Sequence, residues 1–145
     1  MPESPFQPFT AALLVIATAL VQLTGQYVLS RQTDALLVTP MIRHDSTRKM
    51  VVTVAAIMVL VLVHLSQVAI WAVRYYEWGK IGSFANALYF SLASFTTVGA
   101  NDLSLAPDHR MVGALEAAIG MLMFGWSTAL LVRIIQRTER SDTGP

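Results

Sequence analysis

Three stretches of this sequence, Thr10 to Ser30, Met50 to Val73 and Met111 to Val132, run almost free of charge. A helix needs about 20 apolar residues, rising 1.5 Å each, to cross the roughly 30 Å hydrocarbon core of a bilayer. Each stretch has that length, so the chain reads as a membrane protein rather than a soluble globule. Only His64 interrupts the second stretch as a titratable group, and only Glu116 the third. The first stretch is diluted in its inner half by Gln22, Thr24, Gly25 and Gln26. It reads as a span, with an interfacial helix as the alternative. Composition agrees: 54% of residues are hydrophobic and 13% charged, against about 25% charged in soluble domains.

The polar segments between these stretches set the topology. Arg31 to Lys49 reads as a loop or a short surface helix broken at Pro40. The second span ends in Trp71, Tyr75, Tyr76 and Trp78, rings that favour the membrane–water boundary. Arg74 extends from there towards water. Lysine and arginine fall most densely in the 31–49 loop (Arg31, Arg43, Arg48, Lys49) and in the tail (Arg133, Arg137, Arg140). Arg74, Lys80 and Arg110 are spread thinly between the last two spans. The denser clusters belong to the cytoplasm. The expected topology therefore has the N-terminus outside, the C-terminus cytoplasmic and the 74–110 segment outside, in a multi-pass protein of the plasma membrane.

Several function classes lose support. A net charge of +1 gives no basic field for nucleic acid. The chain has no cysteine, and its histidines (His44, His64, His109) stand far apart, so no metal-ligand spacing exists. Residues 1–30 lack the positive n-region of a signal peptide, since Glu3 is the only charge before Arg31. There are no paired carboxylates or nucleophile–base pairs, which argues against an enzyme. No inverted second half argues for a transporter. No cofactor is called for, and no protein partner beyond the chain itself can be identified.

The segment between the last two spans is the most informative. Ile81 to Ala100 is uncharged, yet its apolar run from Phe84 to Thr96 is too short to cross. As a helix it is roughly 20 Å long, the size of a re-entrant helix that dips into the bilayer and returns. Thr96-Thr97-Val98-Gly99-Ala100-Asn101-Asp102 follows. Non-helical backbone at that depth is tolerated only where it is buried in protein or lines a wet cavity. A row of backbone carbonyls around such a cavity replaces the hydration shell of a cation. Gly99 supplies conformational freedom there, and Asn101 is one of the few other residue types that accepts positive φ.

Ala87-Leu88-Tyr89-Phe90-Ser91 followed by Thr96-Thr97-Val98-Gly99 resembles the pore helix and filter of the potassium channel family, whose motif is Thr-Val-Gly-Tyr-Gly-Asp. Thr97, Val98, Gly99 and Asp102 match that motif. Gly113 to Leu130 resembles the inner helix of small bacterial ion-channel-domain proteins, and the resemblance covers about Met50 to Arg137. It implies an all-α membrane protein with three transmembrane helices, a re-entrant pore helix and filter loop between the last two, and a tetrameric pore-loop architecture. Residues 1–49 then form an N-terminal helix and cytoplasmic loop, 50–137 the pore domain and 138–145 a tail.

The resemblance implies an ion filter of Thr97, Val98, Gly99, Ala100, Asn101 and Asp102, backed by pore-helix residues Tyr89, Phe90, Ala93 and Thr96. The sequence departs from the motif at Ala100, where the family has tyrosine, and at Asn101, where it has glycine. The family tyrosine packs against pore-helix aromatics and braces the filter, so Tyr89 and Phe90 are expected to lack that partner. Some members also carry a carboxylate at the position of Ala93, which is absent here. The expectation is a homotetrameric passage for monovalent cations, potassium and, with selectivity weakened, sodium. A non-conducting pore-fold scaffold or regulatory subunit is the alternative. On the inner helix, Gly120 and Gly125 read either as a gating hinge or as helix-packing contacts. Met121, Phe124, Thr128 and Val132 read as a cavity face or as ordinary packing. Glu116 is either a functional intramembrane carboxyl or a structural partner of Arg110 or the pore-helix backbone. His64 and Gln67, one turn apart, are expected to hydrogen-bond to a neighbouring helix.

Overall fold

The computed structural model describes residues 6–38, 46–79, 81–100 and 110–140. Four helices account for most of them: α1 (Phe6–Val38), α2 (Ser46–Glu77), α3 (Phe84–Phe95) and α4 (Arg110–Arg140). The fold is all-helical, and α1, α2 and α4 are each long and apolar enough to cross a membrane. The short α3 is packed between α2 and α4, while α1 packs along both of those helices from the other side.

The first helix is longer than the sequence suggests. Arg31 to Val38 is helical, not loop; any break at Pro40 lies outside the described residues. The physical reason is across the fold: Asp34 forms ion pairs with Arg137 and, at 3.8 Å, with Arg133. Polar residues at this end of α1 thus face the polar end of α4. These pairs also put the C-terminal ends of α1 and α4 on one side of the molecule.

Of the residues that dilute α1, Gln22 and Gln26 are buried while Thr24 is exposed, and the two glutamines belong to an internal polar stripe. Thr18, Gln22, Gln26 and Thr33 are all buried. With no hydrophobic force pulling helices together in lipid, packing and interhelical hydrogen bonds hold them. The Trp71 Nε1–H donates to Thr18 Oγ1 at 2.9 Å. Gln22 donates through Nε2 to Ser127 Oγ at 2.8 Å and accepts at Oε1 from Gln67 Nε2 at 2.8 Å. Gln26 adds a longer 3.4 Å contact to Ser127. One glutamine therefore joins α1 to both α2 and α4. Gly25 lets α1 approach α2, since a Cβ there would lie 2.5 Å from Val63 Cγ2.

The aromatic group at the end of α2 divides in two. Trp71 and Tyr75 are fully buried among the helices. Trp71 bonds α1 through Thr18, while Tyr75 lies edge-on to Phe90 of α3 at 5.0 Å. Tyr76 remains exposed, and the guanidinium of Arg74 sits 4.8 Å from the Trp78 ring while pairing with Glu77.

Candidate functional site

The loop after α3 is built by the way that helix begins and ends. Ser83 caps its start, its hydroxyl accepting from the Asn86 N–H at 3.2 Å. Serine is suited to this position because its side chain satisfies an amide the helix leaves unpaired. At the other end Thr96 donates its N–H to Leu92 O at 3.0 Å and its hydroxyl to the same carbonyl at 2.7 Å. The Thr97 N–H then bonds Ser94 O at 2.9 Å, and the Gly99 N–H reaches back to Ala93 O at 3.0 Å.

Among the described residues of this loop, Thr97 at φ +62° and Gly99 at φ +80° take left-handed backbone. Gly99 adopts it without a Cβ penalty. Thr97 is a different matter, because a β-branched residue at positive φ is an outlier. Sequence propensity gave no sign of it. The bonds from Thr97 and Gly99 to the last turn of α3 hold the chain there. Val98 between them projects outward, 78% exposed. Asn101 and Asp102 lie outside the described residues.

Ala100 turns back and packs against a cluster that contains Trp71, Tyr75, Ala87 and Phe90. With alanine at position 100 no filter tyrosine meets Phe90; α2 supplies a different ring in Tyr75, edge-on at 5.0 Å. Tyr89, by contrast, stays exposed. Ala93 is buried, and its carbonyl is the anchor for Gly99.

Helix α4 approaches this loop closely. A Cβ added at Gly120 would lie 2.1 Å from the carbonyl oxygen of Phe95, so only glycine fits there. Gly125 has open space around it. Met121, Thr128 and Val132 are exposed on α4. Phe124 is at the edge of that face, its ring 5.5 Å from Phe95 and 4.7 Å from His64.

His64 and Gln67 lie behind the same region. His64 Nδ1 and Gln67 Oε1 are 3.1 Å apart. Gln67 uses its Nε2–H on Gln22, so its oxygen accepts and the His64 proton sits on Nδ1. Gln67, not His64, makes the bond to the neighbouring helix. Glu116 is fully buried and meets Tyr75 and Ser91 rather than Arg110. Tyr75 and Ser91 stand out in the sequence for other reasons, not as partners of Glu116. No local pattern marks them, because their partner is on another helix.

A protein-family model described as an ion channel matches residues 50–137. No curated protein and no solved structure matches the chain.

Proposed function

This chain belongs to the ion channel family, and from that premise we propose that it forms a homotetrameric channel for passive conduction of monovalent cations. The observation that carries the reading is the Thr97-Val98-Gly99 segment. It is an exposed loop with left-handed turns at Thr97 and Gly99, hung from the capped end of a short helix between two spans. Backbone carbonyls in such a segment act as ligands only when several copies surround one axis. Closed cyclic symmetry supplies that arrangement.

Two apolar faces left uncovered in a single chain support self-association. On α3 they are Phe84, Leu88, Tyr89 and Leu92; on α4, Met121, Leu122 and Val132. With three spans and family membership, contact with the lipid bilayer follows. We assign the plasma membrane as the site of action, with the N-terminus outside and the C-terminus cytoplasmic. Family membership also points away from catalysis, and no cofactor enters the proposal, only the permeant ions.

Potassium is the preferred ion in this reading, with sodium admitted because Ala100 and Asn101 replace the residues that stiffen the family filter. Selectivity depends on how many carbonyls coordinate and how firmly they are held. The test is potassium and sodium flux through the purified protein in liposomes, beside the double variant Ala100→Tyr, Asn101→Gly. Flux of both ions, shifting towards potassium in the variant, is the expected result. A native protein that passes neither ion, with a variant that conducts, would sink the conduction reading in favour of a scaffold.

A further inference from the structure

Conduction through Thr97-Val98-Gly99 gives no role to Glu116, a carboxyl group fully buried in α4. Its surroundings are specific. Oε2 lies 2.6 Å from the Tyr75 hydroxyl on α2, and Oε1 lies 2.6 Å from the Ser91 hydroxyl on α3. One side chain thus ties together the three helices that surround the base of the loop. Ser91 makes a second contact, 2.8 Å to the carbonyl oxygen of Val68.

Counting protons constrains this group. A hydroxyl donates one hydrogen bond and accepts others. Ser91 therefore cannot donate fully to both Val68 O and Glu116. All three contacts close if Glu116 itself carries a proton: Glu116 donates to Ser91, Ser91 donates to Val68 O, and Tyr75 donates to the other carboxyl oxygen. An ionised carboxylate at this position would leave Ser91 with two acceptors and one proton. It would also be a buried charge, which is costly without a cation beside it.

The tyrosine makes the connection to the loop. Tyr75 is held at its hydroxyl by Glu116, and its ring lies edge-on to Phe90 in the cluster on which Ala100 packs. The family braces its filter with a tyrosine from the filter itself; here the ring comes from α2, and its far end is fixed by α4. We propose that Glu116 is a positioning residue for the filter, acting through Tyr75 and Ser91 by hydrogen bonding rather than by charge. This rests on the conduction reading above, but its test separates the two.

The chain has no cysteine, so Ala100→Cys introduces a single thiol whose labelling rate reports how firmly the loop is seated. That readout needs no ion flux. In the Ala100→Cys background, Glu116→Gln is expected to label at the parent rate, because an amide donates to Ser91 and accepts from Tyr75. Glu116→Ala is expected to label about tenfold faster, the scale of one or two lost buried hydrogen bonds. Tyr75→Phe, which keeps the ring and removes one bond, should lie between them and replaces Glu116→Ala if that variant fails to fold. In liposomes, with Ala100 restored, Glu116→Gln keeps the native potassium-to-sodium flux ratio and Glu116→Ala shifts it. If Glu116→Gln labels as fast as Glu116→Ala, or if Glu116→Ala and Tyr75→Phe both label at the parent rate, the proposal is overturned. A native protein with no flux but with this labelling pattern overturns the conduction reading alone.

Discussion

Thr97 and Gly99 share a backbone conformation but not its cost. At Gly99 the left-handed turn is free of strain, and adding one methyl group imposes about 1–2 kcal/mol. Gly99→Ala is therefore expected to abolish ion flux in liposomes while leaving the elution volume of the detergent-purified protein unchanged. Loss of the oligomer together with flux would show that the glycine serves assembly instead. The threonine carries a strain of the same kind in the native chain, held by the bonds to Ser94 and Ala93. The loop is thus under tension from its own helix. Its glycine was legible in the sequence because one residue type points to one conformation. The threonine was not, because residue type argues against what the hydrogen bonds enforce.

The helices were legible where apolar length alone decides. α3 keeps the boundaries that run length suggests, whereas α2 extends four residues beyond Met50 to Val73 at each end and α4 runs eight residues past Val132, since charge ends an apolar run without ending a helix. Partnership was not legible. Gln22 and Ser127 are distant in sequence, and a diluted stretch in α1 looks the same whether its amides face water or another helix. The burial of Trp71 and Tyr75 was not legible for the same reason, since position near a span's end says nothing about which side a ring faces. The buried stripe gives a measurable expectation. Gln22→Leu leaves the Gln67 amide and the Ser127 hydroxyl only their longer 3.4 Å contacts, to Thr18 O and to Gln26, and should lower thermal stability in detergent by about 1–2 kcal/mol, in the range measured for interhelical bonds in membranes. No loss would mean that Gln67 and Ser127 find each other without α1. The cap on α3 gives a second. Ser83→Ala removes the acceptor for the Asn86 amide and should cost about 1 kcal/mol, read as an earlier unfolding midpoint.

At the scale of the whole molecule, the topology proposed above puts the two ends of the described chain on opposite sides of the membrane. Asp34 joins the ends of α1 and α4 on one of them, the side to which lysine and arginine placement assigns the cytoplasm. Single thiols at Glu139→Cys and Gly82→Cys, both exposed positions, are expected to react with an impermeant reagent from opposite sides of sealed cells: Gly82→Cys from outside, Glu139→Cys only after the membrane is opened. The reverse pattern would invert the topology. One contact bears on how such an assembly moves. The backbone of α4 at Gly120 touches the carbonyl of Phe95 with no side chain between them. A joint of that kind has no backlash: a turn or tilt of α4 reaches the foot of the loop in full, with no soft side chain to absorb it. The loop after α3 and the 31-residue helix α4 are, mechanically, one part.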